Sequence, residues 1–290
     1  MKLKKLPILL SFIALSLAGC NSSGGGSSLY TIGLYPQTVV DDSSLISSLN
    51  QLTTTESNGW YKYDNEYYAK LSATPYDSSY TFDNGQTIVN GTTYWFKCEP
   101  IVWNVLSNND GEYYLLSSVL LDVHCYYNST SLRTIDGKTV RANNYEYSDI
   151  RTWLNDDFYN SAFALDNDNI LTKTVDNSAS TTDTSKNSYT CNNTEDKVFL
   201  PSFKDYINSS YGFSTLEGST TTRECKTTDY ARARGAYYET DSSNGWYWTR
   251  SPYHDDSSGA WDVNNDGGLY GHVVKTTATC VRPSIFLKIA

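Results

Sequence analysis

An α+β fold is predicted for this chain, with small antiparallel sheets, two or three helices and long loops, and three features of the sequence predict it. The first is composition: 25 Tyr, 7 Trp and 9 Phe accompany a low aliphatic content, and Asn-Gly and Asp-Gly pairs recur, which favours strands and tight turns over a helical bundle. The second is a hairpin signal. The apolar runs Tyr94-Trp95-Phe96, Ile101 to Leu106 and Tyr113 to Leu116 are interrupted by Asn109-Asp110-Gly111, the residues that a tight turn with positive φ demands. The third is one stretch, Ser148 to Phe163, in which Ile150, Trp153, Leu154 and Phe158 recur at spacings of three and four, the period of an amphipathic helix.

At the start of the chain Lys2, Lys4 and Lys5 precede an apolar run from Leu6 to Leu17, which ends in Leu17-Ala18-Gly19-Cys20. A charged region, a short apolar region and small residues before a cysteine form a lipoprotein signal peptide. Residues 1–19 are expected to be removed and Cys20 to carry the lipid. The apolar run falls short of the ~20 residues a spanning helix needs, so the lipid does the anchoring. Residues 20–29 read as the lipidated cysteine and a Gly/Ser tether, and 30–290 as a single domain. The expected location is the extracellular face of a bacterial membrane, with the membrane as partner through the lipid.

Within the domain, Gly33 to Thr38 reads as an early strand and turn. The predicted helix at 148–163 has Ser148 and Asp149 to cap its start. Residues 176–195 are rich in Ser, Thr, Asn and Asp and read as an exposed loop. A short helix is expected at 228–234, stopped by Gly235. Strand patterning returns at 246–250, 260–263 and 281–289. There is no internal repeat.

The formal net charge is −10, with 22 basic and 32 acidic residues; loss of the first nineteen residues takes three lysines and leaves 19 against 32, a net of −13. That charge repels phosphate backbones and anionic head groups, which argues against nucleic acid as a partner. Apart from Cys20 the cysteines are Cys98, Cys125, Cys191, Cys225 and Cys280. They lack CxxC or zinc-ribbon spacing, and their number allows one or two bridges or several small buried thiols. The only His-Cys adjacency, His124-Cys125, places the two side chains on opposite faces of an extended chain, unsuited to a nucleophile pair. No G-x-S-x-G, H-E-x-x-H or P-loop occurs.

Several segments carry a resemblance: Phe96-Lys97-Cys98-Glu99-Pro100-Ile101-Val102-Trp103, Ile150 to Asn155, Asp196-Lys197-Val198-Phe199-Leu200, and Trp248-Thr249-Arg250-Ser251-Pro252 followed by Val281-Arg282-Pro283. In order and spacing they resemble an uncharacterised family of bacterial surface and lipoprotein domains, over about Tyr30 to Ala290. The departures from its pattern are Thr249, Cys280 and Ser284. More distantly, the C-terminal layout resembles C-type-lectin-like and formylglycine-generating-enzyme-like domains. That resemblance implies a C-type-lectin-like fold, with helices flanking small sheets. The surroundings of Cys225 and Cys280 do not match the cysteine motif of those enzymes.

Candidate binding residues lie in two C-terminal stretches: Tyr253, His254, Asp255 and Asp256, then Trp261, Asp262, Asn264, Asn265, Asp266, Tyr270 and His272. This mixture of Tyr, Asn, Asp and His is the composition of contact loops, with rigid aromatic anchors and adaptable polar groups. Asp262, Asn264 and Asp266 also satisfy the first half of a calcium-loop pattern, but Val273 stands where the twelfth-position acid belongs. A hairpin turn at Asp266-Gly267 explains the same residues. Trp248, Arg250 and Arg282 read as core packing with paired arginines. The expected function is non-catalytic, a binding or adhesion module for a protein or glycan, with calcium as the one cofactor the pattern suggests. Two alternatives are an enzyme on the formylglycine-generating scaffold and an envelope structural lipoprotein.

Overall fold

The computed structural model describes residues 29–183 and 189–289. The lipidation site Cys20 and the signal peptide lie outside the described residues. No helix among those described is long and apolar enough to cross a membrane.

The framework is a long antiparallel hairpin with strands added on both sides. Strand β1 (Leu29–Val39), helix α1 (Ser43–Leu49), β2 (Tyr61–Tyr63), β3 (Glu66–Ser72), β4 (Thr93–Asn109) and β5 (Glu112–Ser117) come first. The β4–β5 turn is made by Asp110 and Gly111, both at positive φ, as the Asp-Gly pair predicts. Strand β4 has seventeen residues. It pairs with β1 along one edge, and with β3 near its start and β5 near its end on the other.

Short strands follow: β6 (Asp122–Val123), β7 (Arg133–Ile135) and β8 (Lys138–Val140). Helix α2 (Asp149–Trp153) then runs through a π-helical turn at Leu154–Phe158 into α3 (Tyr159–Ala162). The Ser148 hydroxyl accepts from the Arg151 amide and caps this start, while Ile150, Leu154 and Phe158 are buried, as their spacing predicts. Beyond it lie β9 (Ile170–Leu171), β10 (Lys173–Val175), β11 (Thr194–Asp196) and β12 (Val198–Phe199), then α4 (Asp229–Ala233), capped by Thr228. The chain ends in β13 (Tyr247–Pro252), β14 (Gly259–Val263), β15 (Leu269–Val273), β16 (Cys280–Val281) and β17 (Ser284–Lys288).

These strands form an eight-stranded sheet along the path β12-β17-β5-β4-β3-β2, with β1 on β4 and β9 on β17, and a five-stranded sheet ordered β15-β14-β13-β16-β6. Two small hairpins, β7-β8 and β10-β11, complete the set. The predicted α+β, C-type-lectin-like architecture is therefore incorrect. The protein is mostly β, with several antiparallel sheets and few helices, the longest continuous helical stretch among the described residues being 149–162. The physical cause is β4: the apolar runs at 94–96 and 101–106 belong to one long strand that pairs along both edges. Pro100 is tolerated because it faces Leu34 between two register shifts of β1, where a ladder bond is not required of it.

Two other expectations change. Loop 176–195 is not simply exposed, since Asn177 and Thr182 are buried and the Asp176 carbonyl accepts from Arg250 Nη2 at 3.1 Å. Strand β13 buries more than the Trp248 and Arg250 that the sequence assigns to core packing, since Tyr247 and Thr249 are buried as well. Trp248 packs into the large core with Phe96, Trp103 and Leu154, whereas Tyr247 packs into a second core with Phe203, Tyr206 and Trp261. The five-stranded sheet is thus a wall between two cores.

The motif segments are brought together. Arg151 Nε donates to Asp196 Oδ1 at 2.7 Å. The Asn155 amide donates to the Val198 carbonyl and accepts from the Lys197 and Val198 amides. The helix and the β11–β12 segment are thereby clamped.

Candidate functional site

The predicted C-terminal residues divide into buried supports and an exposed edge. Trp261 is buried in the second core against Phe203 and Tyr253. Asp256 is exposed, and its Oδ1 accepts from the Ser258 amide and hydroxyl, closing the turn before β14. The His254 ring lies with Nδ1 2.9 Å from Asp183 and Nε2 2.9 Å from Asp255, and its face leans on Tyr253 and Trp261.

Asn264, Asn265 and Asp266 make the turn between β14 and β15. The Asn264 amide donates to the Gly268 carbonyl and its own carbonyl accepts from the Gly267 amide. Asp266 Oδ1 accepts from the Gly268 amide and Oδ2 from the Ser219 hydroxyl. Two of the calcium candidates Asp262, Asn264 and Asp266 already have side-chain hydrogen-bond partners. Asp262 is hydrogen-bonded to His272 and Asp266 is spent on the turn, and among the described residues no group of three His, Cys, Asp or Glu gathers to hold a metal. Gly267 has φ 76°, and a Cβ there would strike the Thr220 carbonyl oxygen. Gly267→Ala is expected to cost about 2 kcal/mol or more, measured as a lowered midpoint in urea unfolding.

Sequence reading missed the centre of the exposed edge. Tyr76, Tyr237, Trp246 and His272 form a continuous row: Tyr76 meets Tyr237 edge-on at 5.5 Å, Tyr237 stacks on Trp246 at 3.8 Å, and Trp246 stacks on His272 at 4.8 Å. Tyr76 is 53% exposed, and Tyr270, two residues from His272 on the same face of β15, is 47% exposed. Trp246, Tyr237 and His272 are half-buried. The row is braced from behind, since Trp246 Nε1 donates to Asn265 Oδ1 at 3.1 Å and His272 Nδ1 lies 2.6 Å from Asp262 Oδ2. No local signal joins Tyr76 to Trp246, which lie far apart in sequence and meet only through the fold.

Asp262 is fully buried. Burial pushes its carboxyl up to about 6, opposed by the hydrogen bond from His272. His272 is raised by its hydrogen bond to Asp262, with burial opposing. The pair therefore keeps a proton toward neutral pH. An Asp–His pair is the orienting half of a nucleophilic triad, but no described residue hydrogen-bonds Nε2 of His272, so no nucleophile is assembled on it. The thiols are no better suited. His124 Nδ1 lies 2.7 Å from the Cys125 carbonyl, and burial raises the Cys125 thiol. Burial also raises Cys98, Cys225 and Cys280, and pushes Cys191 up to about 11. These thiols stay protonated and weakly nucleophilic.

Residues 110–289 match the family described as domain of unknown function (DUF6273). The chain belongs to this family. No curated protein matches it significantly, and no solved structure does, so the distant resemblance to lectin-like and formylglycine-generating domains has no support. The match to DUF6273 begins at the β4–β5 turn rather than near Tyr30. Strands β1, β3 and β4 precede the matched segment yet belong to the sheet that β5, β12 and β17 complete. The DUF6273 segment contains Tyr237, Trp246, Asp262 and His272, while Tyr76 comes from outside it.

Proposed function

We propose that this member of the DUF6273 family is a lipid-anchored recognition module on the outer face of a bacterial membrane, tethered through Cys20, which binds a neutral glycan with the row Tyr76–Tyr237–Trp246–His272 and the neighbouring Tyr270. The observation that carries this reading is the braced row of partly exposed rings. Aromatic bodies with polar tips offer apolar area to sugar ring faces and hydrogen bonds to hydroxyls, and a net charge of −10 disfavours acidic polysaccharides. Bracing by Asn265 and Asp262 fixes the rings before binding, which lowers the ordering cost of association.

The test is a glycan panel probed with the full chain in detergent, beside Trp246→Ala and Tyr237→Ala. Saturable binding to a neutral glycan is expected, and Trp246→Ala is expected to weaken it about thirtyfold, the effect of a hot-spot ring, with the unfolding transition retained. Absence of binding by the unaltered chain, or equal binding by both variants, would remove this reading.

A further inference from the structure

Four arginines of the C-terminal half are buried, and the protein balances them differently; Arg232 is paired with Asp83 and Asp229. Arg250 has an acid, with Nη1 3.1 Å from Asp205 Oδ2. Arg223 has no acid but spends its guanidinium on five carbonyls, those of Tyr206, Ser214, Leu216, Gly218 and Gly267. Arg282 has neither solution. It is 5% exposed; Nε donates to the Ser117 carbonyl at 3.0 Å and Nη1 to the Tyr247 hydroxyl at 3.1 Å. Among the described residues no carboxylate pairs with it and nothing accepts from Nη2. A buried charge without a counter-charge is among the most costly arrangements in a protein interior.

Arg282 lines a cleft of about 300 Å³, the lower end of the range for small-molecule sites. The cleft lies between β4–β5 and the 211–222 loop, and it opens to solvent past exposed Gly212 and Thr222. Its walls are apolar at Leu116 and Phe213 and polar at Asn104 and Thr222. No described group hydrogen-bonds the Asn104 side-chain amide, so a free donor lines the same cleft as the arginine.

We propose that this cleft binds a small organic carboxylate, its anionic group on Arg282 and Asn104 and its apolar body against Leu116 and Phe213. A single guanidinium in an apolar-walled cleft matches one negative charge. A phosphate dianion would bring a second, uncompensated charge into a protein of net charge −10. The guanidinium is charged at every accessible pH, so the site stays competent wherever the ligand is ionised. This inference is independent of the glycan reading, since it concerns a different cleft and a different ligand chemistry.

The experiment titrates the full chain in detergent with benzoate, phenylacetate and hexanoate, with their neutral amides, and with inorganic phosphate and sulfate, read by calorimetry and by shift in melting temperature. At least one carboxylate is expected to bind at least about tenfold more tightly than its amide and to raise the melting temperature. Arg282→Met is expected to abolish that binding. Because this variant also loses the bonds to Ser117 and Tyr247 that hold the fold, a second variant, Asn104→Ala, tests the site from its rim. It should lower carboxylate affinity about tenfold while the ligand-free melting temperature stays nearly unchanged. Four results would each overturn the proposal: no carboxylate binds; amides bind as well as carboxylates; phosphate or sulfate binds more tightly than every carboxylate; or the rim variant binds as the unaltered chain does.

Discussion

Replacement of Arg223 by Met is expected to abolish cooperative folding at 37 °C. Arg223 is fully buried, and its Nε, Nη1 and Nη2 together reach five carbonyls at 2.6 to 3.1 Å. Four of those carbonyls belong to the 206–218 stretch, which contains no strand and only short 3-10 turns, and the fifth is that of Gly267 in the β14–β15 turn. The arginine thus replaces the regular backbone pairing that this stretch lacks, meeting the requirement that buried carbonyls find donors. Methionine fills the volume and supplies none of the donors. Each carbonyl stranded in the interior, those of Tyr206 and Gly267, costs about 1–3 kcal/mol, and with the loosened 214–218 segment the loss reaches about 5 kcal/mol, comparable with the whole stability of many domains. Arg223→Lys retains the charge but not the planar fork and should be intermediate. Circular dichroism with urea titration checks this. A Met variant whose midpoint corresponds to a loss of less than about 1 kcal/mol would show that the 206–218 carbonyls are solvated rather than held by Arg223.

What was legible in the sequence was local. Asp110-Gly111 announces a turn because only certain residues accept two successive positive φ values, and Ser148 and Thr228 announce helix starts because their hydroxyls reach the orphan amides of the first turn. What failed depended on partners distant in sequence. The pairing of β4 with β1 on one edge and with β3 and β5 on the other joins residues far apart in sequence, so the eight-stranded sheet could not be foreseen. Asp262 looked like a calcium ligand because its spacing to Asn264 and Asp266 suits a loop. In the fold it belongs to β14, opposite Trp248, and faces His272. Arg250 found the acid that was expected of it, whereas Arg282, read the same way, did not. Tyr76 reaches Trp246 only after α4 and the turn following it place Tyr237 between them.

The stability of His272→Ala should depend steeply on pH, and adding Asp262→Asn should remove that dependence. In the unaltered protein both groups are raised in the folded state, Asp262 from 3.8 to about 6 by burial and His272 above 6.5 by its hydrogen bond to Asp262. Between the unfolded and folded values the folded state binds more protons, so stability falls as pH rises. For Asp262 that fall spans about pH 4 to 6. For His272 the stabilisation is complete below 6.5 and is lost as pH rises through the raised value. Removing the imidazole deletes the main influence that lowers the Asp262 pKa, so its carboxyl rises further. Its ionised form is then buried without a partner, a state that costs about 3–5 kcal/mol. Near pH 4.5 the neutral carboxyl and an amide are close isosteres, and the two variants should be equally stable. By pH 8 the double variant should be the more stable by about 3 kcal/mol. Urea unfolding of both variants at the two pH values decides the matter, because a gap that does not change with pH would mean that Asp262 titrates alike in the folded and unfolded variant, its carboxylate hydrated in both. Asp262 would then hold His272 against Trp246 by hydrogen-bond geometry alone, without the shared proton that burial places between them.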